Sequence, residues 1–489
     1  SPNVRAADYP EGNYGLTNAF LTGAVIGDKF LENPSDLRTV NMDTEPKHDG
    51  NQLIVTFELN HQFGDHTFTS VTGYQERERD TLRDFDLGAA PNAFIPGDYA
   101  NVFGAPFSIA DDGNGNGLWT YLEGGVEITS TSFKTSQISH QEPDQWSQEF
   151  RIASDFEGQL NYLLGAYYLD ATWIATVNTF LPSGGTNGGV GGDTNPGTTE
   201  SLAFFGELYW DVSDTVEIIA GLRNSDEDKS VRTGSFFYSP GVASYFEDTN
   251  SFSQTTGRFV VNWSPELSSG ADSLIYASYS TGYKAGGFNP GNAVQPTIAP
   301  EEVKSIEIGT KNLLLDSRLQ LNAAVFDYSY ENLTLGQIVG GLAVNTNVPE
   351  SSVQGAEVEV VALPNEAWRV EAALGFLSTE IDSDFFTDDA SRGFMTYNLR
   401  GKELPNAPEM TLKLGTQYNA EFDNGWWATP RLDYYWQDEF FTRAFNTGAD
   451  LVDDWSQLDL AVSFGKTDAP WDITLFVKNI EDEDSITQV

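Results

Sequence analysis

The segment DGNGNGLWTYLE, residues 112–123, has the spacing D-x-[DN]-x-[DN]-G-x₅-E of a calcium loop. Asp112, Asn114 and Asn116 would offer side-chain oxygens, Leu118 its carbonyl, and Glu123 a bidentate carboxylate, with Gly117 making the sharp turn. Hard oxygen donors in this order suit Ca²⁺ as a loop-stiffening ion, not as a catalyst. A plain Gly/Asn loop is the other reading, because only two of the five ligands carry charge and no helical pattern flanks them. No other cofactor is indicated.

Other residues of chemical interest are less specific. Asp382, Asp384, Asp388, Asp389 and Asp450, Asp453, Asp454 form two acidic runs. Paired carboxylates hydrolyse glycosides, but a solvated surface that attracts divalent ions is the plainer reading. STGYKAGGF (280–288) is Gly-rich, yet it runs from a strand into a loop and so lacks the strand–turn–helix context of a phosphate loop. The four histidines (His48, His61, His66, His140) are scattered in sequence and suggest no metal centre. The chain contains no cysteine, which excludes disulfides and thiol chemistry. No catalytic constellation emerges, so an enzyme has nothing behind it.

Composition narrows the class further. A net charge of −46 opposes binding to nucleic acid, which needs a basic face. Such charge also suggests disorder, but 13% aromatic residues and recurring β-branched ones argue for a folded chain. No run approaches the roughly 20 apolar residues of a membrane helix.

The elements that would position any site are strands. Leu458, Leu460, Val462 and Phe464 alternate with polar or small residues, as do Trp368, Val370, Ala372, Leu374 and Phe376. Leu319, Leu321, Ala323 and Val325 repeat the pattern, as do Leu53, Val55, Phe57 and Leu59. Strand side chains point to opposite faces in turn, so each segment has one apolar and one polar face. About sixteen strands are predicted. They lie near 50–60, 66–80, 144–154, 159–175, 200–211, 215–228, 252–263, 272–284, 302–313, 317–330, 351–362, 367–380, 407–419, 426–441, 455–465 and 471–480. Many exceed the roughly 9–11 residues that a tilted strand needs to cross a bilayer.

Short connections such as HQFGD, VSD and LLDS alternate with long ones near 81–143, 176–199, 229–251, 285–301, 331–350, 381–406 and 442–454. That rhythm puts all tight turns at one end of an up-and-down sheet, the form of outer-membrane barrels. Soluble sandwiches would break the chain into units of roughly 100 residues, and no such break is seen. Arg151, Arg223, Arg258, Arg369, Lys413 and Lys478 all fall on the parity opposite the apolar set. So do Glu58, Glu149, Glu207, Glu217, Glu307, Glu357, Glu359, Glu371 and Asp459. A charged lipid face would cost about 2–4 kcal/mol per Lys or Arg at mid-membrane. These residues are therefore expected to line a wet lumen. Trp146, Trp210, Trp263, Trp368, Trp426, Trp427 and Trp471 lie near strand ends, where interfacial girdles form. The fold class expected is all-β: a transmembrane antiparallel up-and-down β-barrel.

Several segments resemble the barrel of TonB-dependent receptors: LIYASYSTGYKAGGFNP (274–290), PEEVKSIEIGTKNLLLDSRLQLNAAVFDYSYENL (300–333), SSVQGAEVEVVALPNEAWRVEAALGFLSTEI (351–381), GKELPNAPEMTLKLGTQY (401–418) and LFVKNIEDED (475–484). TFTSVTGYQ (67–75) and QWSQEFRIAS (145–154) fit upstream. Each is weak alone; their order is specific.

The resemblance implies a barrel of 22 strands with a plug inside, of which this chain would supply most. Residues 1–49 would be an extracellular loop segment and 50–489 the barrel strands with long extracellular loops. The plug, the energy-coupling box and the first strands would precede this sequence, and a final strand would follow it. The implied function is active import of a scarce nutrient, an iron–siderophore complex most commonly, with vitamin B12, haem, carbohydrates and other metals as alternatives. Implied partners are the lipopolysaccharide outer membrane, the TonB energy-transducing complex through the N-terminal region, and a small-molecule or metal-chelate ligand. Acidic loops would repel an anionic ferric complex, which favours a neutral or cationic cargo. The alternative is a surface-binding or structural barrel, an adhesin or assembly partner, without active transport. Aromatic residues of the long loops (Phe94, Phe103, Phe107, Trp119, Tyr121, Phe237, Tyr238, Tyr245, Phe385, Phe386) are candidates to grip a ligand or to pack the loops together.

Overall fold

The computed structural model describes residues 42, 44–84, 110–111, 117–123, 126–130, 136–181, 188–237, 245–267, 271–289, 295–339, 342–389, 395–448 and 450–484. Alternating segments become staves of one antiparallel sheet. They are β1 (Lys47–Phe63), β2 (His66–Asp84), β3 (Ser136–Ser154), β4 (Leu160–Leu181), β5 (Gly188–Ser213), β6 (Val216–Phe237), β7 (Phe246–Trp263) and β8 (Asp272–Lys284). There follow β9 (Glu301–Leu314), β10 (Leu319–Val339), β11 (Leu342–Asn365), β12 (Trp368–Ile381), β13 (Met410–Tyr418), β14 (Trp426–Gln437), β15 (Trp455–Lys466) and β16 (Asp472–Val477). The main sheet has 17 strands, because the two-residue Ala420–Glu421 continues the line of β13 beside β14. Every stave pairs with its neighbours in sequence order, so the topology is up-and-down throughout. Among the described residues, β1 and β16 each pair on one side only.

Register decides which residues share a face. Leu164 lies opposite Gly206, Gly206 opposite Leu222, and Leu222 opposite Gly257. One residue along, Arg223 lies opposite Phe205 and Arg258 opposite Gly221. The period of two thus carries an apolar face and a charged face around the whole sheet. The apolar face is bare: Leu222 is 68% exposed, Phe57 62%, Leu475 62% and Phe204 59%. Buried apolar side chains are few and lie mostly at the long-loop end, among them Val348, Ile381, Leu399 and Val452. An apolar surface of this extent needs an apolar solvent, and a fully paired sheet is one of the two backbones that lipid tolerates.

Aromatic residues mark the edges of the apolar band. Trp210, Trp263, Trp368, Trp426 and Trp471 project outward at the short-turn end, with Trp426 and Trp471 in edge contact at 5.9 Å. Trp146 packs on Tyr168 at 5.6 Å toward the long-loop end. Trp427 departs from the expectation. It lies opposite Gly465 on the charged side, in the row of Arg431, and its ring covers that glycine.

On that inner face large rings lie over glycines of the next strand. Phe326 of β10 covers Gly355 of β11, and Tyr276 of β8 covers Gly309 of β9. A Cβ at either glycine would fall inside the ring, so these positions require the smallest residue for close approach.

The long connections are shorter than expected. The stretch 331–350 is a paired hairpin in which β10 and β11 continue from Leu333↔Val348 to Val339↔Leu342. The stretch 176–199 likewise holds pairs from Thr176↔Asp193 to Leu181↔Gly188. Within 229–251, β6 and β7 pair as far as Thr233↔Phe246. Above the membrane both faces meet water, so the alternation that signals a strand fades while the hydrogen-bond ladder continues.

Candidate functional site: the lumen wall and its outer mouth

The charged inner face forms a lattice of paired groups. Arg258 Nε sits 2.6 Å from Glu207 Oε1, and Tyr209 donates to Glu207 Oε2 at 2.6 Å. Arg431 makes a two-point contact with Asp433 through Nε (2.8 Å) and Nη2 (2.6 Å), and Nη2 also reaches Glu371 at 2.8 Å. Arg369 Nε donates to the other Glu371 oxygen at 2.6 Å. Two-point guanidinium–carboxylate pairs fix geometry as well as charge. Other cations lie over rings: Arg223 over Tyr167 and Phe205, Lys311 over Tyr276, Lys413 over Tyr435. Other carboxylates take neutral donors, Tyr276 to Glu307 at 2.6 Å and Asn262 to Glu217 at 2.8 Å. The charges expected in the lumen lie on that one face; Arg151, Arg258, Arg369, Glu149, Glu207 and Glu371 are paired there, while Glu58, Glu357, Glu359 and Lys478 are exposed. Toward the short-turn end, Tyr276, Glu307, Lys311, Asn322, Glu357 and Glu359 line a cavity of about 1030 Å³.

The long-loop end carries a compact mouth. Val348, Ile381, Leu399 and Ala444 are buried together, with Leu333, Leu335, Phe385, Tyr397, Leu404 and Phe445 packed around them. Arg443 ties two loops: its Nε donates to Asp450 Oδ1 at 2.5 Å and its Nη1 to Asp389 Oδ1 at 3.0 Å. Thr447 donates to the second Asp450 oxygen through its N–H (3.0 Å) and its hydroxyl (2.8 Å). Asn289 bridges to the hairpin by giving Nδ2 to the Asn345 carbonyl and accepting from the Asn345 N–H, at 2.8 and 2.7 Å. Burial raises the Glu403 carboxyl above its ordinary range, with Glu409 and Glu439 adding to the shift.

This mouth corrects one reading of the acidic runs. Asp389 and Asp450 are buried around Arg443, so they are neither a solvated surface nor a free carboxylate pair. Asp382, Asp384, Asp388, Asp453 and Asp454 remain at least partly exposed. Arg443 and Asn289 were not singled out by sequence. A lone cation in the stretch 438–454, surrounded by five acidic residues, was the available signal.

Of the loop aromatics, Phe385 belongs to the buried cluster and Phe386 faces outward. Tyr245 lies under Arg232 at 3.4 Å and donates to Asp193. Trp119, Tyr121 and Phe237 lie on described strands, while Phe94, Phe103, Phe107 and Tyr238 lie outside the described residues.

Asp112, Asn114 and Asn116 of the calcium pattern also lie outside the described residues. Gly117 to Glu123 is an extended strand paired with Val126–Ser130. Leu118 and Glu123 are five strand positions apart, about 16 Å at the rise of a strand.

Comparison with known proteins agrees with this architecture. Residues 3–480 match the family described as TonB dependent receptor-like, beta-barrel. The chain belongs to the TonB-dependent receptor family. Membership places the bare apolar face in the outer membrane of a Gram-negative cell. A probable TonB-dependent siderophore receptor, PiuA of Acinetobacter baumannii, is 31% identical over 154 residues, which is 30% of this chain and 20% of PiuA. The catecholate siderophore receptor Fiu of Escherichia coli O157:H7 is 24% identical over 450 residues, 86% of this chain and 54% of Fiu. The crystal structure of PiuA superposes with a TM-score of 0.69 at 17% identity, covering 98% of this chain and 66% of that one. That of Fiu from E. coli K12 in its closed form gives 0.61 at 16% identity, covering 100% and 66%. This chain therefore spans little more than half the length of Fiu.

Proposed function

We propose that this TonB-dependent receptor barrel belongs to an importer of a scarce nutrient, an iron–siderophore complex foremost. The observation that carries the reading is the pairing of a polar lumen wall with a mouth of interlocked loops at the long-loop end. Porin-like exchange of small solutes needs no such mouth, whereas capture of a rare ligand does. Relatives named as siderophore receptors support the cargo class. The ligand meets the mouth, passes along the paired charges of the wall, and leaves at the short-turn end. The energy comes from the inner-membrane TonB complex, reached through a plug and coupling segment supplied by the N-terminal part of the full-length protein. Lipopolysaccharide surrounds the outer band. The acidic mouth favours neutral or cationic chelates over anionic ones.

The test is uptake under iron limitation. Strains with and without the gene are given radio-iron on a panel of neutral, cationic and anionic siderophores. At least one neutral or cationic chelate is expected to enter only with the gene and only with TonB present. Equal uptake of every chelate by both strains would contradict the assignment.

A further inference from the structure

The cluster Glu78, His140 and Glu142 stands apart from the lumen and the mouth. It lies on the outer face of β2 and β3, above the Tyr74 and Trp146 level of the apolar band. One ligand atom from each residue lies within 4.8 Å of the others. His140 Nδ1 is 2.8 Å from Asp80 Oδ1, and Nε2 is 3.1 Å from Glu142 Oε1. A carboxylate behind one ring nitrogen fixes the tautomer that offers the other nitrogen to a metal.

The local ladder gives a second reason. Pairing between β2 and β3 lapses between Glu76↔Asp144 and Arg79↔Gln141. Pro143, which has no N–H to give on that strand, sits in the gap. Continuing the register across it sets Glu78 opposite Glu142, beside the like-charged pair Glu76 and Asp144. Asp49 of β1 lies opposite Asp80 on the same face. Carboxylates directly across a ladder repel. Among the described residues near this group, the same face offers only His140 and, farther along β1, Lys47 as cations. The sequence thus places an imidazole and repelling carboxylates where the ladder between β2 and β3 is interrupted.

We propose that Glu78, His140 and Glu142 form a site for a divalent transition metal of the Zn²⁺ class, with Asp80 orienting His140, and that the ion fastens β2 to β3 across the gap in their ladder. One imidazole nitrogen with two carboxylate oxygens suits Zn²⁺, and a fourth position stays open to water. Ca²⁺ and Mg²⁺ prefer all-oxygen shells and gain little from the ring nitrogen.

The experiment uses the full-length receptor, purified in detergent and stripped by a chelator. Zn²⁺ is titrated against a chromophoric competitor, and Co²⁺ absorption reports the geometry. The wild type is expected to bind one Zn²⁺ more than His140→Asn, and more tightly than it binds Ca²⁺. Glu142→Gln is expected to lose the same ion, and Asp80→Asn to weaken it about 10–100-fold. Gln141→Ala, whose side chain projects to the other face, is expected to bind as wild type. Retention of the ion by His140→Asn and Glu142→Gln, with heat-modifiable gel mobility showing folded barrels, would overturn the proposal. So would equal affinity for Ca²⁺ or the absence of stoichiometric binding.

Discussion

Arg443→Met is expected to release the mouth at the long-loop end while leaving the staves intact. The substitution keeps the length of the side chain and removes the charge that faces Asp389 and Asp450, which are 0% and 1% exposed. Breaking one side of a buried ion pair costs about 3–5 kcal/mol, because the orphaned carboxylates stay out of water. The guanidinium is itself one-third exposed, so the lower end, about 3 kcal/mol, applies. Hydrogen–deuterium exchange reads the effect by segment. Amides of 382–409 and 438–454 should exchange roughly a hundredfold faster, a factor of ten for each 1.4 kcal/mol, while β4–β6 stay protected. Arg443→Lys should recover part of the loss, since an ammonium cannot span both carboxylates in the same fork. Adding Asp389→Asn and Asp450→Asn to Arg443→Met should also recover part, because no buried charge is then left alone. Unchanged exchange in the two loops would show that the apolar cluster around Leu399 holds them without the ion pairs.

The second large effect separates two adjacent residues of β6. Leu222→Arg puts a cation at mid-band on the bare apolar face and should cost about 2–4 kcal/mol of membrane stability. Arg223→Leu, one position on, points into the lumen and loses contacts over Tyr167 and Phe205, worth about 0.5–1 kcal/mol. Urea titrations of folding into lipid bilayers measure both. Equal costs, or a larger one for Arg223→Leu, would mean that the two faces do not see lipid and water.

The staves were legible because burial in lipid on one side imposes a strict period of two, as in Leu319, Leu321, Ala323 and Val325. The same signal assigned the lumen charges, and register confirms it in Glu357 opposite Ala324 and Glu371 opposite Gly415. It failed where the membrane ends. Residues 188–199, GGVGGDTNPGTT, read as a glycine-rich loop yet begin β5. Their backbone pairs with β4 although no side-chain pattern reveals it. Trp427 was misplaced for a different reason: a tryptophan near a strand end suits an interface, and only its parity shows that it faces inward.

The mouth was hidden by distance along the chain. Val348, Ile381, Leu399 and Ala444 come from three connections and meet only once the sheet curves to bring those connections over one another. Asp389 and Asp450 looked like solvated surface because Arg443, their partner, is local to only one of them. Glu78 and His140 were invisible as a pair for the same reason, since they lie on different strands and meet through register.

The sidedness of the sheet can be measured directly, because the chain has no cysteine to interfere. Single cysteines at Ile218, Ala220 and Leu222, and at Glu217, Ile219 and Arg223, are labelled with a fluorophore in reconstituted bilayers containing a lipid-borne quencher. The first three should be strongly quenched and the second three weakly, alternating residue by residue along β6. Uniform quenching, or quenching strongest at Arg223, would contradict an apolar face turned to lipid around a wet lumen.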